Sequence, residues 1–280
     1  MFAYRHQFHA GNFADVFKHA LLAQLVLALG KKDKPYFFLD THAGIAHYDL
    51  QHEWTQKNAE YRNGIALLWE RDDVPPEMAP YLEAVRAENR DGKLRYYPGS
   101  PRIVRRLIRA GDRMVLTELN KKDFESLATL YSRDRQVHVE LADGYHALIS
   151  YLPPKERRAL LFIDSSFDRA REFQRLTQGL AAAYKKFATG VYALWYPLME
   201  PAAMRGFERG IAATGIRKVL QIEIAVHPEN WAMGVRGCGI LVVNPPFGFE
   251  IASRAILNWL WPVLSAAGAG YRKAGWLVPE

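Results

Sequence analysis

Four short apolar runs, each followed closely by an acid, constrain this chain more than any other feature. Tyr36-Phe37-Phe38-Leu39 leads into Asp40, Met114-Val115-Leu116-Thr117 into Glu118, Val137-His138-Val139-Glu140-Leu141 toward Asp143-Gly144, and Ala159-Leu160-Leu161-Phe162-Ile163 into Asp164. Runs this short, rich in branched and aromatic residues, have strand length rather than helix length. Val191-Tyr192-Ala193-Leu194-Trp195 is a fifth. Helical patterning over 13–29, with Gly30 as its expected stop, and over 101–110, 122–131, 144–151 and 169–187 accompanies them. Strands alternating with helices predict an α/β fold with a parallel sheet covered on both faces. In such a sheet ligands bind where the strands end, so the residues just after each run are the first places to look for chemistry.

The last third reads differently. Val219–Val226 alternates in part and Gly239–Val243 returns across a glycine-containing link with no helix between them, so the two are expected to lie antiparallel. Five parallel strands closed by an antiparallel hairpin resemble the Rossmann-like sheet of the S-adenosylmethionine-dependent methyltransferases. Residues 45–95 interrupt the alternation with Tyr61, Ile65, Leu68 and Trp69 at helical spacing and then Pro75-Pro76, which predicts a helical insertion after the first strand. The expected organisation is 1–44 and 96–280 as the main domain and 45–95 as the insertion. At 280 residues, 49% hydrophobic and 24% charged, the chain has the material for such a core. No uncharged apolar stretch of about 18 residues is expected to span a membrane, and polar His6 and Gln7 stand where a signal peptide needs its apolar segment. Cys238, the single cysteine, excludes an internal disulfide and a Cys-rich zinc site. A cytoplasmic location, without membrane contact, is the expectation.

The formal charge of +7 favours a polyanionic partner, because each neutralised phosphate releases counterions. Ser100, as N-cap, and Pro101, at the first helical position, open a helix on which Arg102, Arg105, Arg106 and Arg109 share one face. A solvated face accounts for this stripe as readily as a phosphate track does.

The strand ends carry the chemistry. Asp40-Thr41-His42-Ala43-Gly44 offers a small loop for close approach, Glu118 an acceptor for ribose hydroxyls, Asp143 an acceptor for an adenine amino group, and Asp164 an acid facing a target. Singly, each is as well explained as a turn residue or helix cap. Asp164-Ser165-Ser166-Phe167 approximates the tetrapeptide with which aminomethylating enzymes hold a base, an Asp or Asn, two prolines and an aromatic, with serines in place of both prolines. An exocyclic amine is a poor nucleophile because its lone pair is delocalised into the ring. A carboxylate accepting one amine hydrogen and the Ser165 carbonyl accepting the other would localise that lone pair, with Phe167 stacking on the base. Asn244-Pro245-Pro246-Phe247 matches the tetrapeptide literally, but it follows the antiparallel strand and so is expected at the opposite edge of the sheet. His6, His9 and His19 have no regularly spaced acidic partner, so no metal is expected.

Tyr4-Arg5-His6-Gln7-Phe8-His9-Ala10-Gly11-Asn12, Ala14-Asp15-Val16, Lys18-His19, Asp40-Thr41-His42-Ala43-Gly44, Tyr96-Tyr97-Pro98-Gly99-Ser100-Pro101, Thr189–Pro197 and Ala213–Lys218 together resemble the 23S ribosomal RNA large subunit methyltransferase J family over essentially the full length. The resemblance implies methylation of N6 of an adenine in 23S rRNA with S-adenosylmethionine, on a Rossmann-like sheet with a helical insertion. It implies that Lys18, His19, His42, Ser100, Glu118, Asp143, Gly144 and Asp164 line the cofactor site, that Asp164 is also the catalytic acceptor, and that Tyr4 touches the RNA. Lys18 and His19 would then meet the cofactor's carboxylate. The chain is expected to act as a monomer. A DNA adenine methyltransferase and a non-catalytic RNA-binding protein on the same fold are the alternatives that the residues leave open.

Overall fold

The computed structural model describes residues 5–167, 171–232, 234–265 and 268–280. Tyr4 lies outside them. Helix α1 (Phe13–Gly30) is followed by strand β1 (Phe37–Asp40). A short ribbon, β2 (His47–Asp49) with β3 (Tyr96–Pro98), brackets helices α2 (Glu53–Asn58), α3 (Ala66–Trp69) and α4 (Ala79–Glu88). Then come α5 (Ser100–Leu107), β4 (Arg113–Glu118), α6 (Lys121–Tyr131), β5 (Val137–Leu141), α7 (Gly144–Ser150), β6 (Ala159–Ile163), α8 (Glu172–Lys186) and β7 (Val191–Pro197). The chain ends with α9 (Pro201–Ala213), β8 (Val219–Ala225), β9 (Gly237–Val243), α10 (Phe249–Leu264) and β10 (Tyr271–Val278).

Eight strands form one sheet in the order β5-β4-β1-β6-β7-β9-β8-β10. The pairs β4 with β5, β1 with β4, β1 with β6 and β6 with β7 are parallel, while β9 runs antiparallel to both β7 and β8. The tenth strand, absent from the sequence-based expectation, adds to β8 antiparallel at the edge. Because side chains alternate across a strand, Phe38, Leu116, Leu160 and Phe162 face a core made with α1, α5 and α10, while Phe37, Leu39, Val115, Leu161 and Ile163 face one made with α7, α8 and α9. Burial on both faces is what makes these runs continuously apolar.

Helix α1 begins at Asn12, whose side chain accepts from the Asp15 amide at 2.9 Å. Its length and apolar content alone would allow it to cross a bilayer, but most of it is buried against the sheet and its neighbours, and its first two turns carry Asp15, Lys18 and His19. The helix does not stop before Gly30, which is its last residue, with Lys31 as the cap. Two expectations about α5 need correction. Gly99, not Ser100, is its N-cap, because the Ser100 hydroxyl is drawn to Asp40 instead. Nor is its arginine face a free track. Arg102 pairs with Glu88 at 2.6 Å, Arg105 with Asp134 at 2.5 Å and Arg109 with Asp112 at 2.9 Å, leaving Arg106 exposed.

Asn244 lies beyond β9 at the edge where β7 begins. Its side-chain amide donates to the Ala188 and Gly190 carbonyls, both at 2.8 Å, and its φ is +52°. The residue therefore locks two chain segments together, and Phe247 beside it is fully exposed. Asn244→Ala is expected to lower stability by about 1–3 kcal/mol through two abandoned carbonyls, read as a lower urea midpoint. An unchanged midpoint would show that the lock contributes nothing.

Candidate active site

The topology reverses at β1, with β4 and β5 on one side and β6 and β7 on the other, and the crevice outside the ends of these strands is where an open α/β sheet binds ligands. Here a cavity of about 480 Å³ opens, a size suited to a cofactor. Lys18, His19, His42, Ser100, Glu118, Asp143, Gly144, Asp164, Ser165 and Phe167 all line it. Asp164 and Asn244 lie at opposite edges, because β9 runs against β7 while β6 runs with it.

Thr41 fixes the switch point. Its amide and hydroxyl both donate to the Phe162 carbonyl at 3.1 Å, and Thr117 Oγ1 donates to the Thr41 carbonyl at 2.9 Å, so the ends of β1, β4 and β6 are tied together. Gly144 packs directly on this loop. A Cβ there would stand 2.2 Å from the Thr41 carbonyl oxygen, which accounts for glycine at the start of α7. Gly44, with φ +61°, has no room for a Cβ beside the Tyr48 hydroxyl and donates its amide to Glu118 Oε2 at 2.9 Å. Glu118 also accepts from the Asn120 amide at 2.7 Å. Burial raises its pKa, and these two amides oppose the rise.

The strongest charges meet around Lys18. Its ammonium lies 2.7 Å from Asp164 Oδ2 and 2.8 Å from Asp15 Oδ1, and sits 5.5 Å from the centre of the Trp195 ring. Asp15 Oδ2 accepts from the Gly11 amide at 2.8 Å and lies 3.0 Å from His6 Nε2. Burial pushes the Asp15 carboxyl up, but the charges of His6 and Lys18 and the hydrogen bond from His6 outweigh it and hold the pKa well below the usual range. Lys18 is thus engaged by two carboxylates of this chain while it also lines the cavity. Asp15 was the residue that sequence reasoning missed, although its i, i+3 spacing from Lys18 was visible.

Burial disfavours the charged form of both histidines. Burial lowers His19 to about 3, and its Nδ1 shares a 2.8 Å hydrogen bond with the Tyr97 hydroxyl. Burial likewise lowers His42, whose Nδ1 is 2.8 Å from Thr41 Oγ1. Asp143 caps α7, accepting from the Tyr145 and His146 amides, and its other oxygen is 3.4 Å from Arg175. One oxygen of this residue thus caps the helix and the other meets Arg175, and both residues line the cavity. His6, His9 and His19 go separately to Asp15, Glu60 and Tyr97. Among the described residues, no three of His, Cys, Asp and Glu gather as metal ligands.

The 164–167 segment turns out of β6 with Ser165 buried and its Oγ without a hydrogen bond of ordinary geometry. Phe167 has φ +53°, a costly conformation for a bulky residue, and its ring stands edge-on to Phe173 at 4.9 Å and Trp195 at 5.9 Å. Packing holds here what prolines would hold elsewhere.

The acceptor set fits S-adenosylmethionine. Glu118 and Asp143 would offer acceptors to ribose hydroxyls and an amino group, and His19, His42 and Ser100 line the same cavity together with Lys18 and Arg175.

Comparisons agree with this assembly. The family model described as "Ribosomal RNA large subunit methyltransferase D, RlmJ" matches residues 33–278. The chain is 44% identical over 280 residues to the ribosomal RNA large subunit methyltransferase J of Escherichia coli, covering 100% of both chains. It is 40% identical over 281 residues to the protein of the same name from Haemophilus influenzae, again covering 100% of both. A crystal structure of a protein from Legionella pneumophila superposes with a TM-score of 0.87 at 35% identity, covering 95% of this chain and 97% of that one.

Asp40 carries a testable consequence. Fully buried, it accepts from Ser100 Oγ at 2.6 Å and from the His42 amide at 3.2 Å. Burial raises its pKa to about 7, reduced in part by the Ser100 hydrogen bond and reinforced by the charge of Asp164. The folded state therefore keeps a proton that the unfolded chain has lost above about pH 4, so stability falls as pH rises from about 4 to about 7. Asp40→Asn is expected to flatten that slope by up to about 1.4 kcal/mol per pH unit. Urea midpoints at pH 5 and pH 7 check it, and parallel slopes in the two proteins would refute the assignment.

Proposed function

The chain belongs to the ribosomal RNA large subunit methyltransferase J family, and from that premise we propose that it methylates N6 of an adenine in 23S rRNA. The observation that carries this reading is the carboxylate of Asp164, held at the end of β6 by Lys18 and followed by a turn that brings Phe167 beside Trp195. S-adenosylmethionine, when bound, supplies an electrophilic methyl group on a sulfonium. The rest is the work of this chain's residues. Lys18 holds Asp164 by one oxygen, Oδ2. The other, Oδ1, accepts a hydrogen of the adenine amine, and the Ser165 carbonyl accepts the second, which directs the lone pair out of the ring and toward the methyl donor. Phe167, fixed by Phe173 and Trp195, gives the base a face to stack on once it has left its own stack. Glu118, Asp143, His19, His42 and Ser100 hold the cofactor, and Gly144 lets α7 approach it. Tyr4 is assigned to RNA contact by family resemblance.

Transfer of label from S-adenosylmethionine to undermodified 23S rRNA, with duplex DNA and protein alone as the other arms, tests this directly. N6-methyladenosine in the nucleoside digest is the expected product. Methyldeoxyadenosine from DNA alone, or binding with no transfer, would overturn it. Asp164→Ala is expected to lower kcat by about 10² or more, while Asn244→Ala keeps its activity per folded molecule. The reverse pattern would move the catalytic acceptor to the other tetrapeptide.

A further inference from the structure

The basic character of the chain is gathered on the edge of the sheet that faces away from the cavity. Six segments enter strands at that edge: 31–35 before β1, 106–113 into β4, 133–136 before β5, 155–158 before β6, 185–190 before β7 and 217–218 before β8. They hold fifteen of the 37 lysines and arginines, against only four acids, Asp33, Asp112, Asp134 and Glu156. The cavity edge, by contrast, is lined by Glu118, Asp123, Asp143, Asp164 and Glu172. An acidic pocket for one base cannot itself supply affinity for a phosphate backbone, and Arg102, Arg105 and Arg109 are spent in ion pairs.

The arginines at this edge divide into two sets. Arg109 donates to the carbonyls of Gly30, Lys32 and Lys34, Arg158 donates to those of Lys34 and Leu29, and Arg113 pairs with Glu156. These bonds fasten the 31–35, 106–113 and 155–158 segments to one another. Lys31, Lys32, Lys34, Arg106, Arg133, Arg135, Lys155, Arg157 and Lys185 are exposed and have no carboxylate within ion-pair distance among the described residues. A row of free cations on a fastened base is preorganised, so little side-chain and loop order has to be gained on binding. These cations precede β5, β4, β1, β6 and β7, five adjacent strands that at about 4.8 Å spacing make the row roughly 20 Å long. Phe247, fully exposed, stands at the same edge beyond β9 and offers a ring for an unpaired base.

We propose that this edge is a second binding surface for the substrate RNA, engaging the phosphate backbone of a segment distant from the methylated base. The proposal rests on the RNA-methyltransferase reading above and adds to it the source of backbone affinity.

Arg133→Ala, Arg135→Ala, Lys155→Ala and Lys185→Ala combined, in the full chain, test it. Each is exposed and outside the ion pairs, and a companion carrying Arg133→Lys, Arg135→Lys, Lys155→Arg and Lys185→Arg keeps the charge. Filter binding to 23S rRNA at several salt concentrations is expected to give an unaltered salt slope in the companion. In the alanine variant the slope becomes shallower by about 0.7–0.9 for each phosphate left unneutralised. KM for the long RNA rises at least tenfold, and kcat stays unchanged. An unchanged slope and KM in the alanine variant would overturn the surface, as would loss of binding only to phosphatidylserine vesicles. Failure of the unaltered protein to label any RNA would instead overturn the underlying reading, independently of the slope.

Discussion

One buried ammonium between two carboxylates orders this molecule. Lys18 and Asp15 are nearly inaccessible, so neither charge has water to fall back on, while Asp164 opens to the cavity on one side. Removing one partner of a buried pair leaves an uncompensated charge at a cost of about 3–5 kcal/mol. The trio therefore fixes where the first turn of α1 sits relative to the end of β6. Everything else near the cavity follows from that registration. Once Asp15 is placed, the Gly11 amide and His6 converge on it, and the chain before α1 is brought across the mouth of the cavity, where Arg5 reaches Asp123 at 3.3 Å. An apolar helix of 18 residues thus carries its charged turn to the functional edge and buries the remainder in the core.

The sheet has two edges with opposite electrostatic characters, and a parallel fold is what separates them. Every crossover returns the chain to the same side before each parallel strand, so residues that precede strands collect at one edge and residues that follow them collect at the other. The cavity edge gathers acids, whose oxygens can accept hydrogens from hydroxyls and amines. The far edge gathers lysine and arginine. A net charge of +7 is thus an average over two surfaces of different sign, and taken alone it says nothing about where a polyanion would lie.

Most of the sheet was legible because its strands are buried on both faces and therefore read as unbroken apolar runs. The end of the chain was not. Tyr271–Val278 has only exposed and half-buried positions and includes Arg272, Lys273 and Gly275, so as an edge strand it lacks the apolar run that marks the others. The residues around the cavity were legible as strand ends, but their partners were not, since those depend on elements far apart in sequence. Ser100 shows this well. Local propensity makes it a helix cap, yet Asp40, sixty residues earlier, takes its hydroxyl. The arginine face of α5 fails for the same reason: Glu88 and Asp134, which take Arg102 and Arg105, are invisible to a helical wheel, and Arg109 lies beyond the helix end at Leu107, paired with Asp112.

The two tetrapeptides show how little a motif says until its position in the sheet is known. Asn244-Pro245-Pro246-Phe247 has the stiffer sequence, but its amide is consumed by the Ala188 and Gly190 carbonyls and its ring stands wholly in water. Asp164-Ser165-Ser166-Phe167 lacks both prolines and yet presents its carboxylate to the cavity. Prolines would fix φ within the turn through their own rings. Here the same restriction comes from outside the turn: burial of Ser165, the edge contacts of Phe167 with Phe173 and Trp195, and the Lys18 ammonium on Asp164. A turn can be restrained by its surroundings as well as by its own covalent rings, provided that the surroundings are themselves rigid. The buried network around Asp15 and Lys18 meets that condition, because each of its charged groups has a partner and none can turn away without abandoning one.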